Sequence, residues 1–143
     1  MIYTFTTEEN NWLSNMARVD IKLKGKIYPS VEHAYMSEKS KDKSWKELCS
    51  QKNIIGTQIK KFSSTIKLRD DWEKVKLLVM EYCLKQKFEQ EPFKTMLIGT
   101  GNENIQEGNY WNDTFWGVNL KSNPNIGENH LGRLIMKIRD EIR

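Results

Sequence analysis

Apolar and polar residues alternate along Val19-Asp20-Ile21-Lys22-Leu23, the period of a strand with one buried face. Lys24-Gly25 supplies a two-residue turn, and Lys26-Ile27-Tyr28 returns as a second strand, which Pro29 stops. Ser30 offers an N-cap for a helix to about Lys41. Ser44-Trp45-Lys46-Glu47 has capping-box spacing and predicts a short helix. Asn53 to Lys61 predicts another, interrupted by Gly56. Trp72, Val75, Val79, Tyr82 and Cys83 recur on one face of a long helix from about Asp70 to Phe88. Pro92 suits the first turn of a helix ended by Gly99 or Gly101. Leu131, Leu134, Ile135, Ile138 and Ile142 mark a last helix, about Glu128 to Ile142. Ile2 to Phe5, Asn104 to Glu107 and Thr114 to Val118 read as short extended pieces. The pattern predicts an α+β fold: a mainly helical single domain over residues 1–143 with a small β-sheet.

Composition narrows the function. A chain of 143 residues buries a core without disulfides or metal. Its five Trp argue against disorder, although 29% of its residues are charged. A net charge of +4 favours anionic partners such as phosphates, nucleotides or nucleic acid. The lysines are dispersed among 19 acids, however, so no basic stripe stands out. No apolar run approaches the roughly 18 residues that span a membrane. The first nine residues lack the pattern of a secretory signal. Cys49 and Cys83 fall on predicted helices and read as reduced core thiols, so a cytoplasmic location is expected.

His33 and His130 are the only histidines and neither has a second ligand at metal-site spacing, so no metal and no cofactor are expected. Gly99-Thr100-Gly101 matches no phosphate-loop pattern and reads as a helix end. Three clusters carry more. In Tyr28 to Lys39, Glu32 and Lys39 are seven apart, two turns along one helical face, with Tyr35 and Met36 between them. Such neighbours shift the pKa of a carboxylate and an amine; the competing reading is a solvated face with Tyr35 in the core. Glu107 to Gly117 packs two acids and four aromatics, Trp116 among them, into a mostly irregular segment. That suits a flat heterocycle on a polar sugar, or a structural aromatic plug. Arg69 precedes the N-terminus of the long helix, where a phosphate could be held, and Trp72 is expected partly exposed in the cleft beside it.

At these clusters the chain resembles the NADAR, or YbiA-like, family over nearly its whole length. The resemblance rests on Leu13-Ser14-Asn15, on Tyr28-Pro29-Ser30-Val31-Glu32-His33-Ala34-Tyr35 with Lys39, and on Leu68-Arg69-Asp70-Asp71-Trp72 with Lys76, Val79 and Met80. Asp113-Thr114-Phe115-Trp116-Gly117 and Gly127-Glu128-Asn129-His130-Leu131-Gly132 complete it in the family's order. It implies an N-glycosidase acting on ADP-ribosylated guanine, in nucleic acid or nucleotides, or on phosphoribosylamino-pyrimidine intermediates of riboflavin synthesis. It further implies that Glu32, Lys39, Trp72 and Asp113 are catalytic, Lys39 through a covalent step. Asn15, Tyr35, Arg69, Glu107, Trp116, Gly117 and Asn129 are expected to meet substrate. Where the family has an arginine before the long helix, this chain has Lys60 and Lys61. The carboxyls of Glu32 and Asp113 are expected within about 10 Å of each other, with their two roles unassigned. Two other readings are a non-catalytic ADP-ribose or nucleotide sensor and a nucleic-acid-binding module.

Overall fold

The chain runs through β1 (Ile2–Thr4), β2 (Arg18–Leu23), β3 (Lys26–Ser30), α1 (Val31–Ser37), α2 (Lys43–Cys49), α3 (Gly56–Phe62) and α4 (Trp72–Phe88). It continues through α5 (Phe93–Gly99), β4 (Ile105–Asn109), β5 (Val118–Asn119) and α6 (His130–Ile142). This computed structural model describes residues 1–143, and they form two units: residues 15–87, and residues 1–14 with 88–143. The architecture is α+β, with two small sheets where the sequence predicts one.

In residues 15–87, β2 and β3 form an antiparallel hairpin. Lys24 and Gly25 both have positive φ (49° and 83°), the backbone sense of the tight turns that match strand twist. Pro29 does not stop the second strand, which runs on to Ser30 opposite Arg18. A two-stranded ribbon has free edges, so a residue without an N–H is tolerated, and the pairing shifts register between Arg18 and Ile21. All of α1 is buried, because β2, β3, α2 and α3 pack around it. It ends at Ser37, four residues short of the predicted stop. The cap of α2 is Asp42, whose Oδ1 accepts from the Ser44 N–H at 2.9 Å, so Ser44 lies inside the helix rather than capping it. Along α4 the buried residues are Trp72, Met80, Cys83, Leu84, Lys87 and Phe88, and Tyr82 faces solvent. Cys49 and Cys83 are free, buried thiols, and burial pushes both up to about 12.

In the other unit, β1, β4 and β5 form a parallel sheet in that order. The apolar stripe of α6 closes it through Leu131, Ile135 and Ile138, with α6 packed on β4. The extended piece expected over Thr114 to Val118 shrinks to Val118–Asn119. Asp113 takes the N–H groups of Phe115 and Trp116, which turns the chain before a strand can form. No helix of the chain is long and apolar enough to cross a membrane.

Candidate active site

The start of α1 is fixed by a short chain of hydrogen bonds. Ser30 Oγ accepts from the His33 N–H at 3.1 Å and caps the helix, a contribution of about 1 kcal/mol. The Ile54 carbonyl, 2.5 Å from His33 Nε2, only accepts, so Nε2 carries the proton. Nδ1 is then the acceptor for the Ser30 hydroxyl, 2.6 Å away. Burial pushes this imidazole below its ordinary pKa, consistent with a neutral ring. The Glu32 N–H donates to the Asn15 carbonyl at 3.0 Å. Glu32 is thus held by its backbone on one side and by its neighbour's ring on the other.

The Glu32 side chain is 6% exposed, and its Oε1 accepts no hydrogen bond. A Cβ on Gly56 would collide with Met16 Sδ and lie 3.3 Å from Glu32 Cγ. The glycine that interrupts the predicted helix is therefore its first residue, bare because α3 begins against Glu32. The Asn15 amide donates weakly to Met80 Sδ at 3.6 Å, while its Oδ1 is buried without a hydrogen-bond partner. Turning the amide over would only exchange which atom is left over.

Lys39 lies just past the end of α1, not within the continuous helix the seven-residue spacing implied. Its N–H reaches only three residues back, to the Met36 carbonyl at 3.2 Å, a tightened last turn. The half-buried side chain carries Nζ to 5.9 Å from the centre of the Tyr35 ring. That ring is 5.1 Å from the ring of Trp72. Trp72 is 5% exposed, against the expectation of a partly open indole, because Tyr35 covers it. Burial pushes the Lys39 amine below the usual lysine range; the Glu32 carboxylate pulls it up, and Lys60 and Lys76 push it down.

Arg69 does not stand free for a phosphate. Its Nε and Nη2 donate to Asp71 at 2.6 and 3.0 Å, and Nη1 donates to Glu38 at 3.1 Å. Beside it, a cavity of ≈ 490 Å³ is lined by residues 40–42 and 65–70, including Lys41 and Lys67. Glu38, 3% exposed, also receives Lys24 and Lys46 at 3.0 and 3.1 Å. Burial pushes its carboxyl up, but the hydrogen bonds from these lysines outweigh that and leave it below its usual range. Removing such a buried carboxylate takes away the partner of the largely buried Lys46 and one partner of Arg69, a cost of about 3 kcal/mol. Sequence reasoning missed Glu38, since its partners come from three distant segments that nothing in the sequence links to it.

In the other unit, Asp113 organises the loop between β4 and β5. Its Oδ1 accepts from Phe115 N and Trp116 N at 3.2 and 3.0 Å, and Oδ2 has no hydrogen bond within the protein. Asn109 braces the loop: Oδ1 accepts from Asp113 N, and Nδ2 donates to the Asp113 carbonyl at 2.9 Å and to Glu107 Oε2 at 3.0 Å. The half-buried Trp116 meets Phe115 edge to face at 4.9 Å. Gly117 is buried and its carbonyl accepts from Asn129 N at 3.2 Å. Asn129, expected against substrate, spends its amide on the sheet. Oδ1 accepts from Glu107 N at 2.9 Å and Nδ2 donates to the Ile105 carbonyl at 3.0 Å, extending the β4 edge. No three His, Cys, Asp or Glu side chains gather as a metal site would require.

Residues 3–143 match the NADAR domain family. The N-glycosidase YbiA of Escherichia coli (strain K12) is 30% identical over 96% of this chain and 84% of its own length. The N-glycosidase Npun_R5314 of Nostoc punctiforme is 31% identical over 91% of this chain and 84% of that protein. The riboflavin biosynthesis protein VVA0006 of Vibrio vulnificus is 30% identical over 99% of this chain, which spans only 38% of its length. The NMR structure of E. coli YbiA superposes with a TM-score of 0.81 at 28% identity, covering 99% of this chain and 82% of that one. With the glutamate, lysine and tryptophan motifs of the resemblance gathered on and around α1, and a YbiA-like fold beneath them, the chain belongs to the NADAR domain family.

Proposed function

We propose that this chain is an N-glycosidase that hydrolyses the bond between a ribose C1 and an exocyclic amino nitrogen of a base. The observation that carries the reading is the half-buried Lys39 amine beside the Tyr35 ring, its pKa depressed. A ribosylamine opens its ring to an imine between C1 and the base nitrogen. A neutral Lys39 adds to C1, forming an Nζ–C1 bond. The C1–base bond then breaks as the departing nitrogen takes a proton, leaving a Lys39 Schiff base. Water hydrolyses that intermediate to the free sugar and regenerates the amine. The net reaction consumes one water and releases base and ribose.

Glu32 and Asp113 are the proposed carboxylates for proton transfer and for stabilising positive charge at C1. The leftover amide atom of Asn15 suits a ribose hydroxyl, which both donates and accepts. Trp116 is the proposed stacking surface for the base, with Glu107 and Gly117 beside it. Lys41 and Lys67, on the ≈ 490 Å³ cavity, suit a sugar phosphate, with Lys60 as a further candidate. The proposed substrates are ADP-ribosylated guanine or a phosphoribosylamino-pyrimidine, and the proposed place of action is the cytoplasm, where buried thiols stay reduced.

The test incubates the protein separately with each substrate and follows released base and sugar phosphate by mass spectrometry. Release that requires Lys39 supports the reading, and the preferred substrate is the one turned over. Binding of ADP-ribose with no base released would instead identify a sensor. Tight, steeply salt-dependent binding to unmodified DNA or RNA, again without release, would identify a nucleic-acid module.

A further inference from the structure

Arg69 grips two consecutive residues in two different ways. Its backbone N–H donates to the Lys39 carbonyl at 2.8 Å, and its guanidinium donates to the Glu38 carboxylate at 3.1 Å. These residues lie just past the end of α1, held there only by three-residue hydrogen bonds, Glu38 N–H to the Tyr35 carbonyl and Lys39 N–H to the Met36 carbonyl, each at 3.2 Å. Glu38 is anchored from two further sides, by Lys24 of the β2–β3 turn and Lys46 of α2. Lys46 also donates to the Ser37 carbonyl at 3.1 Å. The segment from Ser37 to Lys39 is therefore tied to the hairpin, to α2 and to the approach to α4.

We infer that Glu38 and Arg69 are a positioning pair that sets the direction in which the Lys39 side chain leaves the end of α1. The inference rests on the reading of Lys39 as the reacting amine. It gives Arg69 a different task from the phosphate ligand expected from its place before a helix. A phosphate would have to displace either Asp71 or the buried Glu38 from a guanidinium whose three nitrogens are already engaged. The Glu38 carboxylate is engaged by Lys24, Lys46 and Arg69, and the charges that act on the Lys39 amine are Glu32, which raises its pKa, and Lys60 and Lys76, which lower it.

The test uses the full chain with Arg69→Lys, Glu38→Gln, the double variant and Asp71→Asn. Asp71 is exposed, so its variant loosens the guanidinium while leaving the buried carboxylate in place. Two readouts are taken. The first is kcat and KM on the substrate that is turned over. The second is the rate at which formaldehyde and cyanoborohydride methylate Lys39, measured by peptide mapping, which needs no turnover. Positioning predicts that kcat falls about tenfold or more in Arg69→Lys with KM within about twofold. Lys39 methylation should change with it, the double variant should be no worse than the poorer single one, and Asp71→Asn should move the same way by a smaller factor. A raised KM at unchanged kcat in Arg69→Lys, with lost inhibition by inorganic phosphate, would make Arg69 a phosphate ligand and overturn the inference. Unchanged Lys39 methylation in folded Arg69→Lys and Asp71→Asn would overturn it as well. If no substrate is turned over, the methylation rates still decide whether the pair controls the amine, so this failure is separate from that of the proposed activity.

Discussion

The Nζ of Lys39 stands 5.9 Å from the centre of the Tyr35 ring, so the amine has an aromatic face where bulk water would otherwise be. Burial lowers its pKa from 10.5, and a nucleophilic amine must be neutral. Activity is therefore expected to rise with pH to a plateau reached below the ordinary lysine range. Tyr35→Ala admits water and should move that limb to higher pH. A pH profile of kcat/KM measures it, and a limb that does not move would mean that Tyr35 does not set the amine's environment.

Trp72→Phe tests the ring behind Tyr35. The indole is 5% exposed, so the smaller ring leaves a void and should cost about 1–3 kcal/mol in a thermal or urea melt. If the indole also sets the place of Tyr35, kcat should drop about tenfold with KM little changed. Lost stability with intact kinetics would make Trp72 a core residue alone.

Asp113→Asn separates charge from turn. The amide oxygen still accepts from Phe115 and Trp116, so the melting temperature should barely change. Turnover should fall at least about 10²-fold if the negative charge stabilises the transition state. Asp113→Ala loses both and should also melt earlier. An asparagine variant with full activity would reduce Asp113 to a turn residue.

Gly56→Ala places a methyl group against Met16 and Glu32. The Met16 thioether is flexible and gives way, whereas Glu32 Cγ has less freedom. The expected result is a stability loss of about 1 kcal/mol and a larger, several-fold loss of turnover. Paired melts and rates check it, and a variant as active as the parent would show that the carboxylate tolerates displacement.

Lys87 is fully buried, and burial lowers its amine to about 7. Between that value and 10.5 the unfolded chain holds more protons than the folded one, so stability rises with pH across this window. Lys87→Met removes this titration, so the rise of stability with pH between about 7 and 10.5 should flatten. Urea melts across that range test it; a variant with the parent's pH dependence would rule out the amine as its source.

The regular elements were legible because each has a local cause. Ser30 caps α1, Lys24-Gly25 turns the hairpin, and the α6 stripe has helical period. What stayed hidden is what distant segments impose. Asp70 to Phe88 read as an amphipathic helix with Tyr82 inward, yet Tyr82 is exposed and Lys87 is buried, because neighbours close over α4 at places its own period does not reveal. The motifs drew attention to Glu32, Lys39, Trp72 and Asp113. They did not disclose that Arg69 and Asn129 are occupied by carboxylates and by the β4 backbone, since a side chain's hydrogen-bond partner is a property of the folded chain.

At Gly117 the chain passes so close to Glu107 and Asn109 that a Cβ has no room. The loop bearing Asp113 is thus gauged by the Gly117 backbone against the Glu107 carbonyl and carboxylate and the Asn109 amide, with no side chain on residue 117 itself. Tyr110 and Trp111, each 54% exposed on the same loop, have no such constraint. New side chains at these two aromatics would change the exposed face of the loop and leave the spacing at Asp113 untouched.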